Sequence, residues 1–184
     1  MLDQILNVVI AFRWFFVLVA VILIWEWLVS YIRQRNYREW LEKQKTLNDL
    51  IHNLRPDEFE DYVGNLFRKL GYKVTVIGGI HQSDGGFDIK AEKDGQKYYI
   101  QVKKYNLHHP VRVQQIREFY GALKADHPDS KGIFVTTSFF TSGFIHSAES
   151  FAKKVGIELI DGKRLVEKIN LANSSLPEMS DKGQ

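Results

Sequence analysis

The sequence predicts an α/β domain, a mixed β-sheet flanked by helices, preceded by a single transmembrane helix. Three observations carry that reading. Helical and strand periodicities alternate in the order α-β-β-β-α-β-α-β-α over roughly residues 54–170. Two of the strand-like runs are joined by Lys93-Asp94-Gly95-Gln96, where Asp-Gly is a strong hairpin signal, so one strand pair is antiparallel. Near the amino terminus the chain is apolar without a break from Trp14 to Trp25.

The stretch 7–29, NVVIAFRWFFVLVAVILIWEWLV, opens on Asn7 and closes on Val29. It reaches the roughly 20 apolar residues of a span if Arg13 and Glu26 sit near its ends, where Arg can snorkel and Glu meets the interface. Trp14, Trp25 and Trp27 stand near the ends of the apolar run, as amphipathic indoles prefer. A cleaved signal peptide would want a basic start and a small-residue site, whereas Asp3 comes first and no such site follows Val29. Arg33, Arg35, Arg38, Lys43 and Lys45 follow the span while residues 1–7 hold no basic side chain. The expectation is a single-pass protein of the cytoplasmic (inner) membrane with its carboxyl-terminal domain in the cytoplasm.

Residues 1–30 are thus expected as the anchor and 31–53 as a polar helix, either a stalk or a helix packed on the domain, with Trp40, Leu47, Leu50, Ile51 and Leu54 as a partial stripe. The domain itself is expected over 54–172 and a disordered tail over 173–184. With 184 residues, one domain plus appendages is the natural division. The absence of cysteine excludes a disulfide framework, a thiolate zinc site and a Cys nucleophile. A formal charge of +3 suits a polyanionic partner or a membrane surface without demanding either.

Each element has its own signal. Pro56 opens a helix with Asp57 and Glu58 in its first turn, Phe59, Val63, Leu66, Phe67 and Leu70 as its buried stripe, and Gly71 as its stop. Residues 72–77, 87–92 and 98–103 read as strands. Val113, Ile116, Phe119, Tyr120 and Leu123 mark the next helix, followed by a buried strand from Gly132, a helix around 147–155, a short strand at Ile157 and a helix around 165–169.

Strand alternation singles out one constellation. Tyr99, Gln101 and Lys103 point to one face while Tyr98, Ile100 and Val102 point to the other. Asp88, between Phe87 and Ile89, is expected to face away from those apolar neighbours, and the hairpin brings its strand end against Gln101 and Lys103. A carboxylate and an amide oxygen side by side suit Mg²⁺, which takes a few hard oxygen ligands and keeps waters for a phosphate. A lysine beside them can orient an attacking water or stabilise charge on phosphorus. The same three residues also fit a plain hairpin with a solvated polar face, and spacing does not separate the two. Residues 84–88 are too short for an EF-hand loop.

Asp88 followed by Gln101-Val102-Lys103 resembles the catalytic signature of the Mrr-like branch of the PD-(D/E)xK restriction endonucleases, in which Gln replaces the usual acid before x-Lys. Pro56-Asp57-Glu58-Phe59-Glu60, Leu70-Gly71-Tyr72, Asp84-Gly85-Gly86-Phe87-Asp88, Phe119-Tyr120-Gly121-Ala122, Val135 to Thr141 and Ile157 to Gly162 resemble further blocks of that family in order. The resemblance implies a restriction-endonuclease-like fold and a membrane-anchored, Mg²⁺-dependent DNA endonuclease, with Mn²⁺ as a substitute. It implies Asp88, Gln101 and the carbonyl of Val102 as metal ligands, Lys103 as the catalytic lysine, and Glu60 as the helix acid completing the site. Gly64, one turn after Glu60, would leave room for a close approach. Asp84 matches the family's turn acid and equally an Asp-Gly turn former. Tyr105, His108, His109 and Arg112, with Lys104, follow the active strand as candidate phosphate contacts or as a solvated loop. Cleavage of both DNA strands would need two sites, hence a homodimer. The alternatives are a DNA-tethering module without useful catalysis, or action on RNA or branched DNA.

Overall fold

The structure is a computed structural model that describes residues 2–42, 45–77, 86–143 and 146–174. The chain divides into two compact units, Met1–Glu39 and Trp40–Gln184. The first is carried by helix α1 (Leu2–Glu42). Within it Arg13–Ile32 is a 20-residue stretch of mean hydropathy 2.3, long and apolar enough to cross a membrane. Trp14, Phe16, Ile22 and Trp25 expose more than half of their surface. The stretch runs past Val29 to Ile32, so Glu26 lies inside it, not at its end. Trp27 and Tyr31, one helical turn apart, stack at 5.7 Å between ring centroids.

The second unit orders α2 (Lys45–Asn53), α3 (Pro56–Lys69), β1 (Lys73–Val76), β2 (Ile89–Lys93), β3 (Gln96–Lys103), α4 (Val113–Asp126), β4 (Lys131–Thr136), α5 (Ala148–Val155), β5 (Glu158–Ile160) and α6 (Gly162–Ser174). From α3 onward this is the predicted series. The stretch 31–53, expected as one polar helix, is instead the end of α1 and a separate α2, whose Leu47, Leu50 and Ile51 are buried. Helix α6 runs to Ser174, two residues into the expected tail; residues 175–184 lie outside the described residues.

The sheet has the order β1-β2-β3-β4-β5. Its first three strands are antiparallel, and β3, β4 and β5 run parallel. Asp94 and Gly95, at φ 50 and 75, form the two-residue turn between β2 and β3, and both left-handed residues are what a type I′ hairpin requires. The parallel pairs need crossovers, supplied by α4 and α5, which pack on each other. Ile116, Phe119 and Leu123 of α4 and Ala148 and Ala152 of α5 cover Tyr99 and Phe134 on that face. Helices α3 and α6 meet each other and the sheet on the opposite face.

Gly64 explains how closely α3 lies on the sheet. A Cβ there would stand 2.8 Å from Val76 Cγ2, closer than real contacts allow. The close approach expected from this glycine is therefore against β1, and it sets the height of Glu60 one turn earlier.

Candidate active site

The β2–β3 ladder runs from Lys93 opposite Gln96 to Ile89 opposite Ile100 and then opens. Asp88 is the residue at the opening. Its N–H donates to the Ile100 carbonyl at 3.0 Å while its own carbonyl accepts from Ile77 on the other side at 2.9 Å. A regular strand residue turns both groups to one neighbour, so the backbone is irregular here. Past this point Val102 has no backbone partner on β2; its N–H donates to Asp88 Oδ2 at 2.6 Å instead. The carboxylate thus closes the end of the ladder.

This geometry corrects one expectation. Alternation put Phe87 and Ile89 on a common face with Asp88 opposite. Phe87 packs instead against Tyr99 and Phe119 on the α4 face, with ring centroids 5.0 and 5.8 Å away. Ile89 lies beside Gly64 on the α3 face. The irregular backbone at Asp88 flips the chain between them, and the Asp88 carboxylate turns toward β3 to reach Val102. Gln101 and Lys103 do share the α4 face and line a common cleft with Phe119. The site therefore straddles the sheet: Glu60 comes from the α3 side, Asp88 stands at the opening, and Gln101 and Lys103 come from the α4 side.

In an extended strand a residue's C=O points to the same neighbour as its N–H. The Val102 carbonyl accordingly faces the Asp88 side, while the Lys103 carbonyl is turned to β4, where Thr136 Oγ1 donates to it at 2.8 Å. Thr137 holds the next turn of chain, donating to the Tyr105 carbonyl at 2.7 Å and accepting its N–H at 2.9 Å. The two threonines stitch the exit of β3 to the end of β4.

Burial, helped by the nearby Asp88 charge, pushes the Glu60 carboxyl up to about 7 against the pull of Lys103. Burial likewise raises Asp88, while the Val102 N–H and Lys103 pull it back. Two carboxylates held reluctantly charged within reach of one lysine form a site short of positive charge. Two carboxylates, an amide oxygen and an open backbone carbonyl are the hard oxygen donors a divalent cation takes, so the donor set fits such an ion. Among the described residues no cluster of three or more His, Asp or Glu side chains converges.

The residues after β3 divide between internal hydrogen bonds and solvent. Lys104 Nζ donates to the Ile51 carbonyl at 2.6 Å, which ties the end of β3 to α2. Tyr105 accepts a hydrogen bond on its hydroxyl from Gln115 Nε2 at 2.7 Å. His108, His109 and Arg112 are exposed. Asp84 lies outside the described residues. Gln115 and Glu118 of α4, which the sequence reading did not single out, line the cleft beside Lys103. Their spacing of three, with Gln115 four before the buried Phe119, was the available signal.

Residues 51–169 match the profile of the restriction endonuclease family Mrr_cat. Among solved structures, the chain is similar to the DNA modification-dependent restriction endonuclease AspBHI, with a TM-score of 0.52 and 19% identity, over 72% of this chain and 35% of that one. It is also similar to the protein of unknown function AF1548, with a TM-score of 0.48 and 20% identity over 60% of this chain and 65% of that one. The MspJI restriction endonuclease in complex with a 27-mer oligonucleotide gives 0.41 and 16%, over 76% of this chain and 31% of that one. Of these three, the AspBHI likeness bears on the fold, which is restriction-endonuclease-like. No curated protein shows significant similarity to the chain. Endonuclease domains of the PD-(D/E)xK type generally depend on a divalent metal. The match spans well over half of the 184 residues, and the chain belongs to the Mrr_cat restriction endonuclease family.

Proposed function

We propose that the protein is a Mg²⁺-dependent DNA endonuclease held at the membrane by α1. The observation that carries this is the opening of β2 from β3 at Asp88, where the carboxylate accepts the Val102 N–H, Lys103 pulls on both Asp88 and Glu60, and Gln101 shares a cleft with Lys103. Residues 1–30 serve as the anchor and 54–172 as the nuclease domain, with the basic flank after the span keeping the domain in the cytoplasm.

Asp88, Gln101 and the Val102 carbonyl would hold the cation, and Glu60 would complete its shell, directly or through water. A divalent cation bound there supplies neutralisation of phosphate charge and acidification of water. Asp88 has one oxygen committed to Val102, which fixes its orientation and leaves the other for the ion. Lys103 orients the attacking water and balances charge that develops on phosphorus. A Glu60 carboxylate that meets the cation through water could take a proton from that water. A neutral Gln101 in place of a second acid leaves the site less negative, so the DNA phosphate is drawn in as a ligand. Cutting both strands takes two such sites, hence two chains.

The full chain in detergent micelles, incubated with plasmid DNA and Mg²⁺ or Mn²⁺, tests this. Nicking is expected, abolished by EDTA and by Asp88→Ala. Undiminished cleavage by Asp88→Ala would overturn the site, and DNA binding indifferent to EDTA without cleavage would mark a tethering module.

A further inference from the structure

The cleft beside Lys103 holds more than the proposed reaction centre uses. Among the described residues it is about 280 Å³ and is lined by Gly86, Gln101, Lys103, Gln115, Glu118 and Phe119. Gln101 and Lys103 belong to the chemistry, whereas Gln115 and Glu118 do not. They stand three apart on the first half of α4, and so share a helix face.

Gln115 is held fixed. Its Nε2 donates to the Tyr105 hydroxyl at 2.7 Å, and its Oε1 accepts the Arg112 N–H at 3.0 Å. A primary amide has two N–H groups and two lone pairs on oxygen, so these bonds use half of its capacity. Glu118 is exposed and forms no ion pair among the described residues. A lone carboxylate here repels a phosphate, so the cleft is built for a different part of the nucleotide than Lys103 meets. Its acceptor suits an amino group. Glu accepting from cytosine N4 and Gln pairing with adenine N6 and N7 are the usual base-edge contacts of these side chains. The keto edge of thymine or uracil would set oxygen against the Glu118 carboxylate. Gly86 lines the cleft without a side chain, and a Cβ there would meet Gln101 Nε2 at 3.8 Å.

We propose that this cleft receives a base flanking the scissile phosphate and selects bases that carry an exocyclic amino group, with Glu118 accepting from that group and Gln115 fixing the base edge. The proposal rests on the nuclease reading of the adjacent site. The base enters unstacked, from a single strand or flipped from a duplex.

The test uses the full chain in micelles with Mg²⁺ and a random-sequence oligonucleotide pool, in single-stranded and duplex form, with cut ends read by sequencing. Wild type is expected to cut beside cytosine, adenine or guanine about tenfold more often than beside thymine, and replacing cytosine by uracil removes the cytosine preference. Glu118→Ala is expected to bring the ratio near one by slowing cuts beside amino-bearing bases. A wild-type ratio near one, or the same ratio in Glu118→Ala, overturns the subsite. A second arm measures binding of cytosine- and uracil-containing strands by anisotropy in Ca²⁺. Discrimination that Glu118→Ala removes, without any cleavage by wild type, keeps the subsite and overturns the nuclease reading. No cleavage and equal binding overturn both.

Discussion

The Asp88 carboxylate accepts the Val102 N–H at 2.6 Å, at the point where β2 leaves β3. One side chain thereby has two duties, closing the ladder and presenting a charged oxygen, and substitutions separate them. Asn keeps an acceptor for Val102, whereas Ala leaves that buried strand without its partner. A hydrogen bond to a charged acceptor contributes about 1.5–3 kcal/mol. Burial already makes the Asp88 charge costly, so neutral Asn recovers part of any loss. Asp88→Asn is expected to be about as stable as wild type and Asp88→Ala less stable by about 1–2 kcal/mol, both without cleavage. Thermal unfolding in micelles, followed by near-ultraviolet circular dichroism, checks this; equal stability of the two variants contradicts the ladder-closing role.

Glu60 makes the metal-free protein pH-sensitive. Its folded-state carboxyl is raised to about 7 from an ordinary value of 4.5, first by burial and then by Asp88. The folded state therefore holds a proton that the unfolded chain releases. That contribution is fully present below about pH 4.5 and is lost as pH rises through about 7. In EDTA, the unfolding temperature should fall between pH 5 and 8 more steeply for wild type than for Glu60→Gln, and Mg²⁺ should offset the fall. A variant slope as steep as wild type would assign the pH dependence elsewhere.

Two glycines separate packing from propensity. A Cβ at Gly64 meets Val76 Cγ2 at 2.8 Å, and Val is stiff about χ1, so α3 must lift from β1 and carry Glu60 with it. Gly64→Ala is expected to destabilise by about 1–3 kcal/mol and to slow cleavage. Gly121, in the interior of α4, has nothing within 4 Å of a built Cβ. Gly121→Ala should stabilise by about 0.5–1 kcal/mol. The opposite signs, read by chemical denaturation, are the check.

Local periodicity made the fold legible because most elements bury one stripe each: Phe59, Val63 and Phe67 on α3, and Ile116, Phe119 and Leu123 on α4. The Asp94-Gly95 turn fixed the hairpin register, which brought Gln101 and Lys103 to one face and their end of β3 to Asp88. Alternation failed at Asp88 itself, because a rule of period two assumes regular backbone and this residue bonds to both neighbouring strands. Gln115 and Glu118 were hidden for a different reason. They reach the cleft through the way α4 packs on the sheet, and their helical spacing to the buried Phe119 was the one local signal of it.

Thr137 is buried, and its hydroxyl satisfies both backbone groups of Tyr105. Thr137→Val keeps the shape and removes the hydroxyl, leaving both groups without that partner at a cost of about 1–3 kcal/mol. Since the same segment leads from Lys103, cleavage should slow while DNA affinity holds. Hydrogen exchange at the Tyr105 amide should accelerate in Thr137→Val and return in Thr137→Ser; unchanged protection in Thr137→Val would show that the hydroxyl does not hold this segment.

The absence of cysteine gives the proposed topology a clean test, because one introduced thiol is then the only one in the chain. Gln4→Cys marks the amino-terminal side of the span, and Asn170→Cys marks an exposed position on α6. Neither change alters charge, so the Lys and Arg flank that sets orientation is untouched. In spheroplasts a membrane-impermeant maleimide should label Gln4→Cys, and should label Asn170→Cys only after the membrane is opened. The reverse pattern would invert the orientation. Recovery of the protein in the soluble fraction without detergent would overturn the anchor itself, because a 20-residue stretch of mean hydropathy 2.3 has no stable place in water unless something covers it.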